Sequence, residues 1–182
     1  VRCLKNITGM WLLEQCRASW AAAGRSYTYP ELQEMAERES DFPSRINPDD
    51  PRFACPKDMD AEIRAALAGS GQVVPADDAQ MVSCIYRSLA DRYGEVLGML
   101  RQFARFSIDR LHVIGGGSAN DFLNRLTAES TGIPVVAGPV EATAIGNIMV
   151  QARAAGLVGD RWEMRRIIAG SFPVRVFRPS AG

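Results

Sequence analysis

The 182 residues are 47% apolar and 23% charged, the proportions of an ordinary globular protein with room for one domain or two very small ones. Twenty-one basic residues balance 21 acidic ones, which excludes the basic field that nonspecific nucleic-acid or polyanion binding needs. No apolar run reaches the roughly 18 residues required to cross a bilayer.

Ile7, Met10, Trp11, Leu12 and Cys16 recur at helical spacing, which predicts a helix over residues 5–23 despite Gly9, closed by Gly24. Glu14 and Arg17 interrupt its short apolar stretch and no small-residue cleavage site follows, so the segment reads as an amphipathic helix rather than a signal peptide. On that helix Asn6 and Glu14 lie about two turns apart and share a face, while Trp11 and Trp20 belong to the core. Pro30 opens a short polar helix. Residues 41–58 contain Pro43, Pro48, Pro51 and Pro56 and must be loop, with Asp49 and Asp50 exposed in it. A brief helix follows over residues 60–68.

Asp77 and Asp78 are expected as caps, with Gln80 completing a capping box. The helix they open extends to about Phe106, burying Met81, Cys84, Ile85, Leu89, Tyr93, Val96, Leu97 and Leu100. The pattern then changes to a strand over residues 111–114, a glycine turn, a helix over 119–131 and a strand over 133–137. A third helix covers residues 142–155. Strand, helix, strand, helix predicts a parallel α/β layer with a right-handed crossover. Residues 172–178 read as an extended tail. Two strands are few for this much helix, and the chain opens in helical material without an initiator methionine. Further strands are therefore expected upstream, in a longer polypeptide.

The four cysteines are scattered and His112 is the single histidine, so no structural metal is expected. Reduced thiols in a cytoplasmic protein are the expectation, with Cys16 and Cys84 as small core residues. The strongest chemical signal is Gly115-Gly116-Gly117 at the end of a strand. Glycine permits positive φ and removes the Cβ that would block a ligand, and the next helix directs amide donors toward the same space. The run through Asn120 lacks the third glycine of a dinucleotide fingerprint and the G-K-[ST] of a P-loop. Asn120 can read an adenine edge or a ribose hydroxyl, or cap the helix. Glu141 is expected as a helix-dipole or capping partner and His112 as a satisfied or surface residue. No carboxylate stands out as a catalytic base.

The segments LKNITGMWLLEQCR, INPDDPRF and LHVIGGGSANDFLNRLTAESTGIPVVAGPVEATAIGN resemble the C-terminal domain of the FGGY carbohydrate kinases, from Leu4 to about Pro179. KNITGMWLL and INPDDPRF resemble the branch of that family acting on L-rhamnulose. The resemblance implies an α/β, RNase-H-like domain of the actin, Hsp70 and hexokinase superfamily, incomplete here in its first sheet strands. Residues 1–182 are then one C-terminal, nucleotide-side domain that closes with an N-terminal kinase domain over a cleft. The implied reaction moves the γ-phosphoryl group of ATP, with Mg2+, to the 1-hydroxyl of L-rhamnulose. By the same resemblance Gly116, within Gly115–Gly117, is the glycine contacting the nucleotide, and Asn120 lies beside the adenosine. Asn6 belongs to the substrate cleft. Glu14 stands where the family carries a nucleotide-contacting glutamine; it has no amide donor, a role Gln15 can take instead. The catalytic aspartate and the phosphate-gripping turn are expected upstream of Val1, so this chain alone is expected not to phosphorylate sugar. Two alternatives stay open: a kinase for another ketose such as fuculose, and a nucleotide-binding module without catalysis.

Overall fold

In the computed structural model, which describes residues 4–180, the first helix begins later than its apolar spacing predicts. Gly9 takes φ +59°, a left-handed turn that ends the preceding irregular segment, and helix α1 runs Trp11–Ala22. Two expectations change with it. Asn6 precedes the helix and shares no helical face with Glu14. Trp11, in the first turn, is 44% exposed, whereas Trp20 is buried among Leu12, Leu13 and Cys16.

Two compact units divide the chain, one ending at Arg105 and the other beginning at Phe106. The first is helical. Helix α2, Tyr29–Arg38, is opened by a capping box in which Thr28 and Glu31 exchange hydrogen bonds, with Pro30 in its first turn. Helix α3 spans Met59–Gly69 and is capped by Asp58. The long helix α4, Asp78–Phe103, is capped by Asp77, whose Oδ1 accepts from the Gln80 N–H at 2.9 Å. The predicted box is not reciprocal, because Gln80 Oε1 accepts from Ala76 N–H instead. Asp78 is no cap. Its buried carboxylate accepts from Arg25 at 3.1 Å and from the Tyr27 hydroxyl at 2.9 Å, tying the α1–α2 loop to α4.

Helix α2 packs along α4, and α1 packs on α3. Met81, Cys84, Ile85, Leu89 and Leu97 are buried as predicted, while Tyr93, Val96 and Leu100 are only half-buried. Burial pushes both core thiols up, that of Cys84 to about 11, so neither Cys16 nor Cys84 is reactive near neutral pH. The proline-rich loop holds one short 3-10 turn, Pro51–Phe53, which drives the Phe53 ring into the core.

The second unit is an α/β layer. Strand β1, Leu111–Val113, pairs in parallel with β2, Val135–Ala137, as the alternation of elements predicts. Helix α5, Asp121–Thr131, connects them and starts two residues later than expected, because Gly116–Ala119 forms a 3-10 turn first. Helix α6 covers Ala142–Ala154. Two elements escape the sequence reading. Residues expected as a tail contain strand β3, Arg175–Phe177, antiparallel to β2, so the sheet is mixed with order β1-β2-β3. Helix α7, Arg161–Ser171, precedes it and is capped by Asp160. No residue of α7 is fully buried; Met164 and Ile168 alone reach the small cluster of Ile145, Met149 and Val158. Among the described residues, no helix is long and apolar enough to cross a membrane.

The uneven burial along α4 has a measurable consequence. Leu89→Ala is expected to lower stability in urea unfolding by about 2–4 kcal/mol, and Val96→Ala by less than about 1 kcal/mol, although both lie on the predicted stripe.

Candidate functional site

Because β1 and β2 are parallel, their carboxyl ends lie at one edge, where ligands of open α/β sheets bind. The loops leaving them join there: Gly115 N–H donates to Pro139 O at 3.1 Å, and Gly138 N–H donates to Val113 O at 2.8 Å. The three glycines divide their roles. Gly115 has φ +75° and ψ −163°, which a side chain resists. Gly116 and Gly117 do not take positive φ. A Cβ added at Gly116 meets nothing within 4 Å, and one at Gly117 meets only Val113 Cγ1, at an ordinary 3.8 Å. The fold therefore demands glycine at 115 alone. At 116 and 117 the missing side chains leave exposed bare backbone that a ligand can approach.

This surface is braced from beneath by residues with no assigned role in the sequence reading. Buried Ser118 donates its hydroxyl to Gly115 O at 2.7 Å. Asn124, also buried, donates from Nδ2 to Gly117 O at 3.3 Å and Ser118 O at 3.2 Å. Arg175 on β3 donates to Ser118 O at 2.7 Å and pairs with Asp121. A signal for Asn124 existed, an amide amid Phe122, Leu123 and Thr127 on the buried face of α5. Nothing comparable marks Arg175, because its strand is three residues long and mostly exposed.

Asn120 is the N-cap of α5: its Oδ1 accepts from Leu123 N–H at 2.8 Å. The cap leaves the Nδ2 donor and one further lone pair of Oδ1 open to a ligand. Glu141 occupies the N-cap position of α6 but makes no capping hydrogen bond. His112 is exposed on β1. Ile114, next to the glycine turn in sequence, and Val140, whose carbonyl oxygen lies 3.9 Å from a Cβ placed on Gly115, are exposed apolar residues, one on each loop.

The other two predicted site residues belong to the first unit. Glu14, on α1, accepts from the Tyr29 hydroxyl at 2.8 Å and from Arg17 at 3.0 Å, while the Arg17 guanidinium lies 4.4 Å from the Tyr29 ring centre. The hydrogen bond to Glu14, followed by burial, raises the Tyr29 pKa. Asn6 is exposed, in the segment leading to α1. Asp49 corrects the picture of an exposed loop aspartate, since its side chain is only 16% exposed. Its Oδ1 accepts from Thr8 N–H at 3.2 Å, and its Oδ2 takes Lys5 at 3.3 Å and Arg92 at 3.0 Å. Burial pulls this carboxyl upward, but the Thr8 amide, Arg92 and Lys5 outweigh it and hold its pKa below the usual carboxylate range. Among the described residues, no group of three or more His, Cys, Asp or Glu side chains is placed to hold a metal ion.

The profile of the FGGY family of carbohydrate kinases, C-terminal domain, matches residues 1–155. The chain belongs to this family and represents that domain of it. Among individual relatives, the rhamnulokinase of Bacteroides thetaiotaomicron is 51% identical over 179 residues, covering 98% of this chain and 36% of the relative. The rhamnulokinase of Bacillus subtilis is 39% identical over 179 residues, again 98% of this chain and 36% of the relative. That of Pectobacterium carotovorum is 41% identical over 180 residues, with 99% and 36% covered. The chain thus spans about 36% of the length of the curated relatives it matches.

Two outcomes follow from this geometry. Gly115→Ala is expected to lower thermal stability by about 1–2 kcal/mol, whereas Gly116→Ala leaves it unchanged or slightly raised. Because the folded pKa of Asp49 is depressed, its contribution is fully present above the unfolded value of about 3.9 and lost as pH falls through the folded value. The stability difference between the native chain and Asp49→Asn should therefore shrink on acidification below about pH 4 in urea titrations.

Proposed function

We propose that this chain is the nucleotide-side domain of a cytoplasmic L-rhamnulose kinase. The observation carrying the reading is the bare backbone at Gly116 and Gly117, set beside the Asn120 amide at the carboxyl ends of two parallel strands. Family membership and three rhamnulokinase relatives supply the chemistry it serves. In this proposal the layer is part of an RNase-H-like sheet, completed by strands of a longer polypeptide.

Gly116 lets the nucleotide approach the main chain closely, and the Asn120 Nδ2 donates to the adenosine. Glu14 offers only an acceptor, already engaged by Tyr29 and Arg17, so the amide function of the family's glutamine falls to Gln15. Asn6 contacts the sugar. The 1-hydroxyl oxygen of the ketose bonds to the γ-phosphorus as the bond to the ADP oxygen breaks. A base outside the described residues takes the hydroxyl proton. Magnesium would enter with the phosphates of the nucleotide; among the described residues no group of three or more His, Cys, Asp or Glu side chains is placed to hold it. This chemistry depends on positioning and charge stabilisation from both sides of a cleft. The 182 residues by themselves are therefore catalytically silent.

Calorimetric titration of the 182-residue chain with ATP and ADP tests the nucleotide assignment. The informative variant is Asn120→Ser, which keeps a helix-capping oxygen and removes the amide donor. Native binding with about tenfold loss in the variant is the expected result; equal affinities would reject the role of Asn120. A coupled ADP-release assay then compares L-rhamnulose with L-fuculose in the full-length kinase, where the former is expected to be preferred. Sugar-dependent turnover by the 182-residue chain would refute its silence.

A further inference from the structure

Asn6 stands on a segment with no regular structure of its own, yet a side chain meant to orient a sugar must be held within a fraction of an ångström. The surrounding contacts show what holds it. Asp49 grips the chain on both sides of Asn6, through the Lys5 ammonium at 3.3 Å and the Thr8 amide at 3.2 Å. The same carboxylate is anchored to α4 by Arg92, whose Nε donates to Oδ2 at 3.0 Å and whose Nη2 lies 3.0 Å from the same oxygen in an ion pair. A second tie runs in parallel, from the Trp11 indole Nε1 to Phe53 O at 3.3 Å. All these partners in the proline-rich loop fall within residues 49–53, so one short run clamps the segment at both its ends. Asn47 Oδ1 accepts from the Asp49 amide at 3.1 Å and fixes the backbone from which the carboxylate projects.

We propose that Asp49 is a positioning residue for the sugar: it transmits the rigidity of α4 to Asn6 and sets the affinity for the ketose without touching it. The proposal rests on the reading of Asn6 as a sugar contact, and a plain structural role for Asp49 makes different predictions. A stabilising aspartate would change thermal stability while leaving kinetic constants of the folded enzyme alone. A positioning aspartate changes the KM for sugar, spares the KM for ATP, and loses its effect once Asn6 is gone.

The test uses the full-length kinase with whichever ketose it phosphorylates fastest. Asp49→Ala should raise the sugar KM about tenfold, with Asp49→Asn intermediate because its Oδ1 still accepts from Thr8 N–H. Lys5→Met, at a half-exposed position that threatens no core, should produce a smaller change in the same direction. The KM for ATP should stay constant in all three. Asp60→Asn serves as the stability control, because Asp60 holds Trp20 and Arg64 and touches nothing in residues 5–8; it should lower the melting temperature without moving the sugar KM. In an Asn6→Ala background, Asp49→Ala should add no further rise. If Asn6→Ala alone leaves the sugar KM unchanged, the reading of Asn6 fails and this proposal with it. If Asn6→Ala raises the KM but the Asp49 variants lower only the melting temperature, or add their full effect in the Asn6→Ala background, Asp49 is structural and the positioning proposal alone is overturned.

Discussion

The parallel pairing of two three-residue strands is the constraint from which the candidate nucleotide site follows. Parallel strands deliver their carboxyl ends to the same edge, and the loops that leave them must then share that edge. Gly115 makes the sharing compatible with hydrogen bonding. Its N–H donates to Pro139 O while its positive φ turns the chain that follows, and Val113 O receives the Gly138 N–H from the opposite loop. Once the chain has turned there, the next four residues form a 3-10 turn and α5 begins at its asparagine cap. An open main-chain surface, a helix N-terminus and an amide donor are thereby brought together by one backbone event. Buried Ser118 and Asn124, with Arg175 reaching in from β3, keep that surface from collapsing when its own side chains are absent.

The helical unit solves a different problem. Its core is conventional, with apolar faces of α2 and α4 in contact, but buried charged groups fasten the unit alongside apolar anchors such as Phe42 and Phe53. Asp78 holds Arg25 and Tyr27, Asp60 holds Trp20 and Arg64, and Asp49 holds Lys5, Thr8 and Arg92. Each aspartate is withdrawn from solvent and each meets more than one donor, the condition under which a half-buried carboxylate contributes more than an ordinary surface pair. Balanced composition at the level of the whole chain thus has a local meaning. Several acids and bases that cancel in the net charge also meet one another in space.

Helices with strong end signals were legible in the sequence. Asp77 and Pro30 marked starts correctly because end signals are local, with capping an interaction between residues two or three apart. Apolar spacing misjudged the beginning of α1, where Ile7 and Met10 fit a helical period but Gly9 interrupts it. It also overlooked α7, whose apolar residues meet only a small cluster and bury none completely. Strand β3 was invisible for a related reason. An edge strand of three residues is created by its partner's unpaired backbone groups and needs no pattern of its own.

The glycine triplet and the family to which it belongs were determined by sequence alone, because glycine is the single residue whose lack of a side chain is itself the signal. Sequence likewise established the neutral charge, which is a matter of counting. Which glycine serves the fold and which leave room for a ligand was decided only by tertiary structure, since the distinction depends on one dihedral angle and on atoms from the opposite loop. The same holds for the aspartates. Asp49 and Asp78 resemble ordinary loop and cap residues until folding brings Arg92 and Arg25 to them, 43 and 53 positions away along the chain. A local pattern reports what a residue can do; the partners that arrive from a distance determine what it does.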